Sequence, residues 1–273
     1  MFLKTCEDLQ KSSFEVDVQV IDLNGKSLES ENFALKRRKL AVQLARKMTR
    51  AIAARCWFEE IAEHLGTDSA AAIQRFVEPS LDEARASVAA RRWRDYRAGH
   101  HFPCEAVIER VENFCPSANA VLRSPLSDAL RIDRDPRKVA KRLLGCTSKL
   151  GDELLSSALN QFKCRGNHPD WISKRCRDLI LQGSLEGMAT LLICMKLAVR
   201  SDDCCGRLTA GFFASATASF IVLSRWMSDR GVERLMMFLY QKILLPEYCE
   251  NYMGDRTAIL VALPRLISDV SLQ

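Results

Sequence analysis

Two groups of residues in this chain have the types and spacing to do chemistry, and both are built from cations. The first is the run Arg91-Arg92-Trp93-Arg94-Asp95-Tyr96-Arg97-Ala98-Gly99-His100-His101-Phe102-Pro103. A guanidinium can grip a phosphate with two parallel hydrogen bonds, which gives Arg91, Arg92, Arg94 and Arg97 a natural anionic target. Trp93 and Tyr96, three residues apart, could stack on bases or on guanidinium planes. His100 and His101 follow at once and add positive charge when protonated. The same residues allow a second reading, in which Trp93 and Tyr96 belong to the core and the arginines form a solvated face. The second group lies between Asn32 and Phe58, where eight basic residues occur with no acidic one. Within it Lys36, Lys39, Gln43, Arg46 and Arg50 fall at spacings of three and four, so they share one face of a helix.

Other chemistries find little purchase. The chain has no G-x-S-x-G elbow, P-loop, G-x-G-x-x-G or H-E-x-x-H, so no catalytic site is recognised and no cofactor is expected. Glu59, Glu60 and Glu63 beside His64 read as an exposed polar patch on a helix. Histidines and cysteines cluster twice, as His100, His101, Cys104 and Cys115, and as Cys164, His168 and Cys176. Structural zinc needs four ligands, usually in tight Cys-x2–4-Cys knuckles, and neither cluster has one. Buried free thiols are the expectation, and no metal site.

These residues must be positioned by helices. Arg, Ala and Leu are abundant, while Gly (12) and Pro (8) are few. Helix formers therefore dominate. Phe14 to Leu23 is the exception: Phe14, Val16, Val18 and Val20 alternate with polar residues, and Asn24-Gly25 offers a turn, so a short strand or hairpin is expected there. From Phe33 to Leu65 the pattern predicts one long helix or two in succession, with Leu40, Leu44, Met48 and Ile52 as its apolar stripe. Asp68 or Ser69 caps a short helix over Ala70–Val77. After Pro79, Ser80 and Glu83 suit a capping box for a helix that Gly99 terminates. Helices are expected at Cys104–Phe114, near Ala118–Leu122, after Pro125, and at 137–144, 149–162, 170–182, 184–200, 207–228, 230–245 and 255–270. The fold class is all-α, a multi-helix bundle or array with a minor N-terminal β element.

Ile132 to Pro136 is the candidate boundary. It would divide a basic helical region, 1–132, from a more apolar helical bundle domain, 133–273, suited to a homodimer contact. Charge follows the same division. Residues 1–150 carry 26 Lys/Arg against 21 Asp/Glu, and residues 151–273 carry 14 against 13. Leu208 to Ser224 has no charged residue but contains Thr209, Ser215, Thr217 and Ser219, so it reads as a buried core helix and no membrane span is expected. Met1 to Val20 lacks the apolar run of a secretory leader, and 11 cysteines at irregular spacing suit a reducing cytoplasm.

The order of Trp93, Tyr96, Gly99 and Pro103, W-x2-Y-x2-G-x3-P, resembles the recognition-helix end of Cro/repressor-like helix-turn-helix regulators. That resemblance implies that the helix from Leu81 to Ala98 enters a major groove. Together with Ser124-Pro125-Leu126 and Leu130, the segment also resembles bacterial proteins associated with mobile elements, to which no activity is attached. The likeness covers about forty residues, Arg91 to Leu130. The expected function is a DNA-binding regulatory or accessory protein that holds phosphates with Lys36, Lys39, Arg46, Arg50 and the Arg91–His101 segment. A helical protein-interaction module of a host-interaction or defence system, with an acidic protein partner, is the alternative.

Overall fold

A computed structural model describes residues 27–160, 169–199 and 207–244. The expected strand at Phe14–Leu23 and the expected helix at 255–270 lie outside these residues. Contacts divide the chain into one unit, Met1–Lys39, and a second, Leu40–Gln273.

The described residues are built from helices, with no strand among them. Helix α1 runs over Ser27–Leu65, 39 residues. It contains neither Gly nor Pro, and it stops at Gly66, whose φ of 63° turns the chain into the left-handed region. The amides of Gly66 and Thr67 then close onto the Glu63 and Ala62 carbonyls, at 3.2 and 3.0 Å, which satisfies the helix end. The buried stripe begins at Ala45 and continues through Met48, Ile52, Cys56, Trp57, Phe58 and Ile61. Leu40, expected to lead that stripe, is 49% exposed, and Leu44 is half-buried.

The second unit holds two hydrophobic clusters, and α1 supplies both. Trp57, Phe58, Ile61 and Ala62 pack with α2 (Ala70–Val77), α3 (Glu83–Ala98), α4 (Glu105–Glu112) and α5 (Pro116–Leu122). Ala45, Met48, Ile52 and Cys56 pack with the larger cluster. That cluster takes in α6 (Leu126–Ala129), α7 (Pro136–Leu143), α8 (Lys149–Leu159), α9 (Pro169–Gln182), α10 (Leu185–Val199), α11 (Arg207–Val222), α12 (Ser224–Asp229), α13 (Glu233–Leu239) and a π-helical turn, Tyr240–Leu244. Helix α10 is its axis. It is apolar on every side and buried from Gly187 to Ala198, packed by α6, α7, α8, α9 and α11.

One charge sits inside this apolar helix. Lys196 is buried, and its Nζ donates to the carbonyl oxygens of Ala129 (2.5 Å) and Arg131 (2.9 Å), acceptors left over at the end of α6. With the ion pair between Arg46 and Asp133, that contact spans the 132/133 junction, which falls within the unit running from Leu40. No helix among the described residues is long and apolar enough to cross a membrane.

Candidate phosphate-binding face

Helix α3 carries the first basic group, and its two ends are locally encoded. Asp82, rather than Ser80, is the N-cap: its carboxylate accepts from the Arg85 amide at 2.9 Å. Gly99 ends the helix at φ 73°, with its amide on the Tyr96 carbonyl at 2.9 Å. A Cβ at Gly99 would lie 2.9 Å from the Ala51 carbonyl oxygen and 3.1 Å from the Ala51 Cβ. The C-terminus of α3 therefore rests directly on α1, and only glycine permits both the turn and the approach.

Trp93 and Tyr96 correct the stacking expectation. Both are buried, at 0% and 2% exposure. The Trp93 ring stacks on Trp57 at 5.5 Å, and Tyr96 meets both indoles edge-on, at 5.7 and 5.6 Å. The Trp57 Nε1 donates to Asn119 Oδ1 and the Trp93 Nε1 to Glu78 Oε2, each at 3.0 Å. Burial pushes the Tyr96 hydroxyl above its ordinary pKa. With the rings buried against one another and both indole donors satisfied, they are core and offer nothing to a base.

Several cations already have acidic partners within the chain. Glu78 is the hub. Its carboxylate side chain is 5% exposed and accepts two bonds from Arg92 Nη2 (2.8 and 2.9 Å), one from Arg110 Nη1 (3.0 Å) and the one from Trp93. Arg97 donates to the Asp68 carbonyl (3.1 Å) and carboxylate (3.3 Å), with its guanidinium 5.9 Å from the Phe58 ring centre. Arg46 donates to Asp133 Oδ2 at 3.2 and 2.9 Å, and Arg131 donates to the same carboxylate at 3.0 and 2.6 Å. The Arg131 bonds, seconded by Arg46, hold the Asp133 carboxyl well below the usual range. His100 and His101 each lie 3.8 Å from an oxygen of Asp95, and their amides point at its carbonyl.

Arg50, Arg91 and Arg94 are different. Each is exposed, and among the described residues none of them carries an ion pair. Lys47 is exposed and unpaired in the same sense; it belongs to the basic run but was not among the site residues expected from sequence. Lys36 and Lys39 are exposed on α1 within the first unit. Arg91 and Arg94 stand on the outward stripe of α3 with Ala84, Ser87 and Val88, opposite Ala89, Trp93 and Tyr96. Arg50 adjoins Ala51, where Gly99 touches α1. Counted at 1.5 Å per residue, Lys47, Arg50, Arg94 and Arg91 all lie within about 12 Å of that crossing along their helix axes. The crossing is what relates the two basic helices, and neither hydropathy nor charge in the sequence reveals it.

The polar patch expected at Glu59–His64 is partly internal. Arg230, stacked over Trp226 at 4.4 Å, forms ion pairs with Glu60 and, at 3.4 Å, with Glu63. Glu59 is half-buried, and desolvation raises its pKa despite Arg97 and Arg55 nearby. His64 is exposed, with its ring tilted 6.1 Å from that of Phe114. Of the thiols in the two clusters, Cys115 is buried against the Glu60 carbonyl and Cys104 is exposed. Cys164 and His168 lie outside the described residues, among which no group of three or more His, Cys, Asp or Glu is placed to hold a metal ion.

In comparison with known proteins, no family model, no curated protein and no solved structure matches this chain.

Proposed function

We propose that this chain is a DNA-binding regulatory or accessory protein that grips phosphates through Lys47 and Arg50 on α1 and Arg91 and Arg94 on α3. The observation that carries this reading is a partition among the cations. Arg46, Arg92, Arg97, Arg110 and Arg230 each have a carboxylate partner, whereas these four face water without one, around a single helix crossing. Exposed cations held on rigid, packed helices are what a polyanion backbone requires, and they supply affinity and orientation rather than sequence readout. On this reading Glu83–Ala98 is the helix presented to the duplex, and Ala84, Ser87 and Val88 are the exposed side chains nearest the bases.

Anisotropy of a labelled DNA duplex, titrated across salt, tests the reading. Affinity should fall linearly with salt on logarithmic axes, with a slope near −0.9 per phosphate neutralised. The Arg50→Ala/Arg91→Ala/Arg94→Ala variant should bind at least tenfold more weakly at about 100 mM salt, with a shallower slope. Absence of duplex binding at low salt would overturn it.

A second reading has its own observation. Val88 is 72% exposed on the same stripe as Arg91, an apolar group that a protein interface would cover. On that reading the partner is an acidic protein, and duplex binding would be missing at every salt concentration.

A further inference from the structure

Helix α7 divides its residues without exception. Pro136, Val139, Ala140 and Leu143 are buried, and the four that remain, Arg137, Lys138, Lys141 and Arg142, are exposed cations. The helix contains no acid. Asp135 precedes it as N-cap, accepting from the Arg137 amide at 3.1 Å. Arg142 and Arg134 share Asp128, whereas Arg137, Lys138 and Lys141 carry no ion pair among the described residues. Beside them lies a groove of about 470 Å³ lined by Asp133, Arg134, Asp135, Lys138, Val139 and Arg142. Its carboxylates are already engaged: Asp133 by Arg131 and Arg46, and Asp135 by the helix it caps.

This arrangement works against the helix itself. Arg137 with Lys141, and Lys138 with Arg142, are like charges at a spacing of four, which destabilises a helix by a few tenths of a kcal/mol per pair. Arg137 and Lys138 also occupy the first turn, where the helix dipole disfavours positive charge. An external polyanion relieves both penalties. Asp133 fastens this segment to Arg46, which lies one turn from Arg50 and about 7.5 Å along α1 from the Ala51–Gly99 crossing.

From this we infer that α7 is a second phosphate-contacting surface, along which the same DNA backbone held by Lys47, Arg50, Arg91 and Arg94 continues. The inference rests on the DNA-binding reading above. It moves part of the interface into the half of the chain whose apolar helices suggested packing and a homodimer contact. At about 12 Å, α7 is long enough to reach two or three successive phosphates of one strand, each of which rises about 3.4 Å along the duplex axis.

Four proteins and one duplex test it: the full chain, Arg137→Ala/Lys138→Ala/Lys141→Ala, the Arg50→Ala/Arg91→Ala/Arg94→Ala variant, and a control, Lys174→Ala/Arg177→Ala, that removes exposed cations from α9. The α7 variant should bind at least tenfold more weakly at about 100 mM salt, and its salt slope should shrink by about one for each phosphate it no longer neutralises. Its thermal midpoint should hold steady or rise, because like-charge repulsion is removed. The control should shift affinity far less. Equal losses in the α7 variant and the control would overturn the inference, since only net charge would then matter. Intact binding in the α7 variant, with loss in the Arg50/Arg91/Arg94 variant, would overturn it while leaving the first reading standing. No binding by any of the proteins would overturn both.

Discussion

At the scale of single residues, the decisive group is Glu78. It is one carboxylate taking four hydrogen bonds from two arginines and an indole, and it turns part of a basic segment into internal structure. Glu78→Ala should lower stability by about 2–3 kcal/mol, because Trp93 Nε1 loses its acceptor while the arginines can still reach water. Glu78→Gln should cost less, since a carbonyl oxygen remains to accept. Denaturant unfolding of the three proteins checks the order, and an Ala variant as stable as the parent would contradict the hub. None of this was legible in the sequence. Glu78 precedes a proline in an ordinary-looking link, and its partners sit 14, 15 and 32 residues away. Arg91, Arg92, Arg94 and Arg97 look equivalent in the chain. Only the packing of Trp93 on Trp57 rotates Arg92 toward Glu78 and leaves Arg91 and Arg94 facing solvent.

At the scale of elements, the sequence was a good guide to helices and their ends. Ser69 caps α2, Gly99 closes α3, and α7 to α10 fall close to their expected positions, because caps, breakers and apolar spacing are local signals. What local signals cannot carry is which helices touch. The α1–α3 crossing yields a paired prediction. Gly99→Ala meets a left-handed backbone and a carbonyl 2.9 Å away, whereas Gly66→Ala meets the same backbone strain with open space around it. Gly66→Ala should cost about 1 kcal/mol and Gly99→Ala clearly more, about 2 kcal/mol or above. Adding Ala51→Gly should restore little, because the nearest atom is backbone. Thermal melts of the single and double variants read this directly, and equal costs at the two glycines would refute the close approach. The basic face of α7 was within reach of sequence periodicity: Arg137, Lys138, Lys141 and Arg142 alternate with Val139, Ala140 and Leu143 at helical spacing. The charges of Asp133 and Asp135 beside them made the segment look like a linker.

At the scale of the whole molecule, cysteine reactivity reports on the packing of both clusters. Cys56, Cys176 and Cys194 are buried, and burial pushes the first two thiols up to about 12 and the third well above its ordinary value. The thiolate is the nucleophile, so these sites should stay unlabelled by iodoacetamide in the native protein even at about pH 9, and label together once the chain unfolds. Cys104 and Cys146 are exposed and should label first. Residue-resolved mass spectrometry separates the sets, and native labelling of Cys56 at the rate of Cys104 would disprove the burial. The composition of the chain announced buried thiols, and the periodicity announced helices. The sharing of one helix by two cores was hidden, because α1 presents Ala45–Cys56 to one cluster and Trp57–Ala62 to the next with no break in its pattern. That sharing constrains where the chain can be divided. A segment ending near Ile132 would carry Met48 and Ile52 without the α10 cluster that covers them, and a segment beginning there would lack the wall that α1 provides. The stretch from Leu40 to α13 is therefore expected to fold as one piece, and a chain break near Ile132 to leave neither part with a complete core.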